Sequence, residues 1–154
     1  MKLVKVQKTF FERCKSLGAD PNNQLLHNES GRPCVLIMKL NYKGEDRDFV
    51  VPIKSNILPR TDKTTFFALP PNRRTRTGNY HGIFYIKLFP ISRIYIQPYL
   101  IEGNTYMQNI QKIIDKPENE KKIIDSCQNY LMEYAMGNKN NYTPDLDLII
   151  NKVL

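Results

Sequence analysis

The sequence predicts one α+β domain, in which a strongly bent antiparallel sheet or partial barrel carries packed helices. Three observations predict it. Residues 1–100 hold short apolar runs separated by turn residues, the apolar spacing becomes helical from residue 104, and 154 residues are enough for a single core. Strands grouped first and helices last exclude the regular strand–helix alternation of a parallel sheet. Residues 1–154 therefore form one domain, strand-rich over 1–100 and helical over 104–154.

Leu3 to Val6 reads as a short strand. Thr9-Phe10-Phe11-Glu12 has the spacing of a capping box, which predicts a short helix with Thr9 as N-cap and Gly18 as its stop. Residues 20–31 are polar and read as a loop. Cys34 to Tyr42 is a strand, Lys43 to Asp46 a turn, and Asp48 to Ile53 the returning arm of a hairpin. Pro52 falls near that arm's end, where a missing N–H does least harm. Thr64 to Leu69 is a further strand, and Pro70 to Gly78 is a basic loop with turn residues at both ends. Gly82 to Phe89 and Arg93 to Gln97 complete the strands. Tyr106, Ile110, Ile113 and Ile114 then fall at helical spacing. Pro117 suits the first turn of a second helix, whose inner face is Ile123, Ile124, Cys127, Leu131 and Tyr134, ending at Gly137. Thr143-Pro144-Asp145 predicts an N-cap followed by a short closing helix to Leu154.

Lysine and arginine number 23 against 15 acidic residues, a net charge of +8 that favours a polyanionic partner through counterion release. Solubility alone is the plainer reading of the same charge. No apolar run is long enough to span a bilayer, and lysines interrupt the opening residues where a signal peptide would be apolar, which predicts a cytoplasmic protein. Cys14, Cys34 and Cys127 are odd in number and far apart, so buried thiols are expected rather than disulfides or a zinc site. P-loop, GxGxxG, HExxH and GxSxG patterns are missing. His27 and His81 are too few for a familiar zinc site, and the carboxylates do not cluster. No metal and no cofactor is expected, so catalysis would fall to Lys, Ser, Arg and Tyr. RNA can be cut with such groups, because its own 2′-hydroxyl attacks the adjacent phosphate once oriented, charge-balanced and relieved of a proton.

Lys39 stands inside the run Val35 to Leu40 and, by alternation, shares a face with Val35 and Ile37. That is a costly place for a charge without a purpose, unless the stem packs and the amine reaches water. Lys54 and Ser55 follow the strand that ends at Pro52, where groups are held yet exposed. Arg73, Arg74 and Arg76 put three guanidinium groups into one loop, suited to phosphates and bases. Tyr80 and His81 just beyond are candidates for stacking on a base or donating a proton, though a lone histidine is more often structural.

The stretches Arg32 to Met38 and Phe49 to Ser55 resemble the core of the type III toxin–antitoxin endoribonucleases, the ToxN/AbiQ family. The resemblance lies in an apolar strand, a polar hairpin and an aromatic residue leading to a Pro-x-[Thr/Ser/Lys]-Ser element. Gly82 to Ile91 resembles the family's later Gly-x-Ile block, and a C-terminal helical pair follows in both. Pro52-Ile53-Lys54-Ser55 looks most like the CptN branch. The resemblance implies a MazF/Kid-like sheet with added helices. It implies metal-independent RNA cleavage to 2′,3′-cyclic phosphate and 5′-hydroxyl ends. The implied partner is a small repeat-derived RNA pseudoknot that inhibits the toxin and assembles with it into a closed protein–RNA hetero-oligomer, acting in phage defence by abortive infection. Ser55 matches the family's serine. Lys54 precedes it as a stand-in for a lysine that some relatives place after it, where this chain has Asn56, a candidate RNA contact. Cys34 occupies a position that is lysine in some relatives, which leaves Arg32 or Lys39 as the second catalytic cation. The rival reading is a non-catalytic basic RNA-binding module.

Overall fold

A computed structural model describes residues 1–25 and 31–154, with the main chain alone at position 38. Part of the polar loop expected over 20–31, including His27, lies outside the described residues. Strand β1 (Lys2–Val6) leads to helix α1 (Lys8–Ser16), then to β2 (Cys34–Tyr42) and β3 (Glu45–Ile57). Short strands β4 (Phe66–Leu69), β5 (Tyr80–Phe84), β6 (Phe89–Pro90) and β7 (Ile96–Pro98) follow. Helices α2 (Thr105–Asp115), α3 (Pro117–Ala135) and the short α4 (Leu146–Leu148), which runs into a π turn over Ile149–Val153, close the chain. The strands form one antiparallel sheet in the order β4-β5-β3-β2-β1-β7, with β6 also paired to β3. The mixed α/β architecture and the antiparallel sheet agree with the sequence reading.

Strand β3 is the axis of the molecule. Its first half pairs with β2, from Tyr42 opposite Glu45 to Cys34 opposite Pro52, and its second half pairs with β5, with Ile53 opposite Ile83 and Lys54 opposite Gly82. Pro52 therefore sits mid-strand, where β3 changes partners, and not near the strand's end. Lys54 and Ser55 correspondingly lie inside the strand and not beyond it. Lys43 and Gly44 both have positive φ, 51° and 85°, so the hairpin closes in two residues, as a primed turn with its matching twist does.

The other departures share a cause: tertiary contacts override local signals. The chain enters α1 from Gln7, whose N–H donates to the Tyr95 carbonyl at 2.7 Å, and no side chain caps the helix, so Thr9 is inside it. Gly18, at φ 72°, does follow its end. Residues 64–65 form a 3-10 turn before β4, and the single strand expected over 82–89 is broken by a 3-10 turn at Tyr85–Lys87. The break lets β5 and β6 pair with the same edge of β3 at different heights. Arg93 to Tyr95 likewise forms a 3-10 turn before β7. Asp145, not Thr143, caps α4, accepting from Leu148 N at 3.0 Å, while the Thr143 hydroxyl donates to the Ile86 carbonyl at 2.6 Å.

The core lies between sheet and helices. Ile110 and Ile114 of α2 and Ile123, Cys127 and Leu131 of α3 are fully buried, as their spacing requires, and Phe10 stacks on Phe89 at 5.3 Å. Cys14, Cys34 and Cys127 are free buried thiols, and burial pushes Cys14 and Cys34 up to about 12. Among the described residues no helix is long and apolar enough to cross a membrane. Gly82 has no room for a side chain: a Cβ there would lie 2.5 Å from the Phe67 carbonyl oxygen and 3.2 Å from Phe66 Cδ2. Gly82→Ala is expected to lower stability by about 1–3 kcal/mol, by forcing β4 from β5, in a urea denaturation series.

Candidate active site

Among the described residues, β2 pairing along this edge of β3 ends at Pro52, because β2 begins at Cys34. Ile53 N donates to the Pro33 carbonyl at 3.3 Å, which carries the preceding residue, Arg32, to the same edge as Lys54. On the other edge, the 3-10 turn between β5 and β6 delivers Lys87. A cleft of about 780 Å³ opens between these parts, lined among others by Arg32, Lys54, Ser55, Asn56, Arg74 and Lys87. Arg60 and Asp62 stand on its rim segment between β3 and β4.

The electrostatics follow from crowding cations over partly dry walls. Lys54 is half-buried, with its amine 5.7 Å from the centre of the Phe84 ring; burial and, after it, the nearby Arg32 hold it below the ordinary lysine range. Lys87 is only 7% exposed. Burial, then the positive charges of Lys54 and Arg32, lower it to about 8, against an opposing pull from Asp20. Its amine donates to Gln24 Oε1 at 2.5 Å and faces the Tyr142 ring at 5.8 Å. Lys87 was missed by sequence reasoning, yet it carried the signal used for Lys39: it is the lone charge in the apolar run Gly82 to Ile91.

Ser55 and Asn56 organise the arginine loop. Ser55 Oγ accepts from Asn72 Nδ2 at 3.0 Å, and among the described residues no group takes its own hydrogen. Asn72 Oδ1 accepts from Arg74 N, Thr75 N and the Thr75 hydroxyl. Asn56 donates to the Arg74 carbonyl at 2.7 Å and accepts from Arg76 N at 2.8 Å and Asn79 Nδ2 at 3.1 Å. Its amide thus clamps loop backbone. Asn56→Ala is expected to speed proteolysis between Asn72 and Asn79 while lowering the unfolding free energy by about 1 kcal/mol or less, because the loop is exposed.

The structure does not bring every predicted residue here. Lys39 has φ 60° and is exposed, at a bulge where the β2–β3 register slips between Ile37 and Leu40. The bulge cancels the alternation that placed it with Val35 and Ile37. Leu40 pairs with Arg47, so Lys39 lies roughly 20 Å along the sheet from Lys54. Of the two alternatives for the second cation, Arg32 is the one in the cleft. Arg73 and Arg76 are exposed on the loop but do not line the cleft. Tyr80 packs its ring on Phe66 at 5.3 Å with Lys63 over it and pairs with Ile57 of β3; it backs the cleft wall without itself lining the cleft. His81 is 3% exposed and donates to, or accepts from, groups of its own interior: its Nδ1 is 2.9 Å from the Pro70 carbonyl and beside the Tyr106 hydroxyl. Burial lowers its pKa, and its position is that of a structural histidine rather than a stacking or proton-donating one. Among the described residues no three His, Cys, Asp or Glu side chains gather about one point.

No protein-family model matches this sequence. No curated protein matches it either. Solved structures do. One, of a bacterial antiviral system regulated by a processed non-coding RNA, superposes with a TM-score of 0.64 at 18% identity, over 99% of this chain and 97% of the other. A second, from a bacterial type III toxin–antitoxin system in which a non-coding RNA pseudoknot selectively inhibits the toxin, gives a TM-score of 0.58 at 13% identity, over 99% and 95%. The chain has the fold of both. With coverage this complete, the fold agreement takes in the antiparallel sheet and the helical third together, and so the framework that carries the cleft.

Proposed function

We propose that the chain is a metal-independent endoribonuclease toxin of a type III toxin–antitoxin system, of the ToxN/AbiQ family and most like its CptN branch. The observation that carries the reading is the convergence of Arg32, Lys54, Ser55 and the buried Lys87 on one cleft. The bent sheet would be of MazF/Kid-like type. The shared fold with an antiviral system under RNA control and with a pseudoknot-inhibited toxin supports the same reading.

In the proposed reaction the RNA O2′ attacks its own phosphorus, forming the 2′,3′-cyclic phosphate as the bond from phosphorus to O5′ breaks. The O2′ proton must leave and O5′ must gain one. Lys87, lowered to about 8 and so still mostly protonated at pH 7, gives its proton to the departing O5′, while the O2′ proton passes to water. Arg32 and Lys54 balance charge on the non-bridging oxygens, Arg32 as a planar fork that can reach two of them. Ser55 donates its hydroxyl hydrogen to a phosphate oxygen while Asn72 holds its oxygen. Arg74 on the cleft wall, with Arg73 and Arg76 behind it, guides the strand.

The inhibitor would be a small RNA pseudoknot occupying this basic face and joining toxin copies into a closed cytoplasmic assembly, released to cut cellular or phage RNA. A non-catalytic RNA-binding module is the second reading; the use of Ser55 and Asn56 to brace the arginine loop favours it. Expression tests the choice. A toxin arrests growth when expressed alone, is silenced by its cognate RNA, and purifies from the silenced strain with one discrete small RNA. Stable RNA binding without growth arrest or cleavage would favour the binding module.

A further inference from the structure

Beside the cleft lies a second depression of about 470 Å³, lined by Asn22, Gln24, Lys139, Asn140, Asn141 and Tyr142. Gln24, Asn140 and Tyr142 line both spaces, so the two adjoin. The pocket's makeup differs from the cleft's: four amides, one lysine and one aromatic ring. Its position is fixed by the fold. Asp20 accepts from Gln24 N and Leu25 N, Asp145 N donates to the Ala19 carbonyl at 2.8 Å, and Asn22 Nδ2 donates to the Asn141 carbonyl at 3.1 Å. These bonds tie the segment after α1 to the segment after α3.

Tyr142 is the unusual member. It is 55% exposed, although the next residue, Thr143, is buried and bonded to the Ile86 carbonyl at 2.6 Å. Its own N–H donates to Asn140 Oδ1 at 2.8 Å. A large ring is thus held in water by an anchored backbone, with the Lys87 amine at 5.8 Å from its centre. Gln24 links the same amine to the pocket: its Oε1 accepts from Lys87 at 2.5 Å and its Nε2 donates to the Asn22 carbonyl at 3.0 Å. The flat apolar face therefore begins where the phosphate-handling groups end. Aromatic platforms beside cationic grooves receive unstacked bases, and side-chain amides, which both donate and accept, match a base edge.

We propose that this pocket is a base-recognition subsite, and the inference rests on the reading of the cleft as an RNA-cutting site. A single-stranded RNA whose scissile phosphate lies at Lys54 and Lys87 places one flanking nucleobase on the Tyr142 ring. The Asn141 side chain and the Asn140 Nδ2 hydrogen-bond its edge. Cleavage preference at that one position is set here rather than by the arginine loop.

The test uses the full chain and a single-stranded RNA that it cuts, made non-cleavable by one 2′-deoxyribose at the cut, with an abasic residue moved through the flanking positions. Tyr142→Ala is expected to weaken binding on the order of 10- to 100-fold, and Tyr142→Phe to retain it. At one flanking position the abasic change should cost wild type a similar factor and cost Tyr142→Ala nothing more. In cuttable RNA, Asn141→Ala should flatten base preference at that position alone; the recorded bond of Asn141 to Asn22 uses its main chain and survives. Additive losses at every position, or an unchanged base preference in both variants, would overturn the subsite while leaving cleavage itself intact. A wild-type chain that neither binds nor cuts single-stranded RNA would overturn the reading of the cleft and the subsite with it.

Discussion

Replacing Lys87 with methionine is expected to lower RNA cleavage by roughly 10²- to 10⁴-fold while making the folded chain more stable at pH 7. The two effects have one origin. Lys87 is 7% exposed and crowded by the charges of Lys54 and Arg32, so the fold disfavours its protonated form and lowers it from 10.5 to about 8. At pH 7 the amine is charged in folded and unfolded chains alike, and the whole penalty is present. Between about 8 and 10.5 the unfolded chain holds more protons than the folded one, so stability rises with pH through that window. Methionine removes the penalty but also the bond to Gln24, which leaves a net gain of roughly 1–2 kcal/mol at pH 7. Urea midpoints for both proteins from pH 7 to 10.5 should converge as pH rises. Lys87→Arg separates charge from proton exchange, because arginine stays protonated. It should remain as inactive as the methionine variant; full activity in Lys87→Arg would reduce Lys87 to a fixed charge.

Lys54→Ala and Ser55→Ala are each expected to reduce cleavage by about 10²- to 10³-fold, the usual loss for one donor aimed at developing charge. They should differ in a second respect. Lys54 is one of the charges that depress Lys87, so its removal should move the alkaline inflection of residual kcat/KM upward from about 8. Ser55→Ala leaves that inflection in place, but deprives Asn72 Nδ2 of its acceptor and loosens the arginine loop. Single-turnover rates across pH 6 to 10 read both differences. Cleavage and growth arrest that survive both substitutions would place the chemistry elsewhere.

Much of this was legible in the residues. The helical third followed from apolar spacing, since Ile110, Ile114, Ile123, Cys127 and Leu131 are all buried as predicted. The β2–β3 hairpin followed from two apolar runs around the turn expected at Lys43 to Asp46, though the turn is shorter, since β3 already begins at Glu45. What local pattern could not supply was register. Lys39 and Lys87 look alike in sequence, one charge in an apolar run, but a bulge turns Lys39 to solvent and a 3-10 turn leaves Lys87 buried at the cleft. Both irregularities arise from which strand lies alongside, and that is fixed by contacts far apart in the chain. The Ile53-to-Pro33 bond, which brings Arg32 to the Lys54 end of β3 while Lys39 lies far along the sheet, is likewise a contact that local pattern does not show. His81 shows the converse, a plausible reactive group whose Pro70 and Tyr106 partners are remote in sequence.

The most direct measurement is to incubate the purified, RNA-free protein with a single-stranded RNA in excess EDTA and identify both new ends. A cleft whose cationic and hydroxyl groups carry the reaction predicts undiminished cleavage, 2′,3′-cyclic phosphate and 5′-hydroxyl termini, and no cut at a position bearing a 2′-deoxyribose. Cleavage that disappears under chelation, or 5′-phosphate ends, would contradict it.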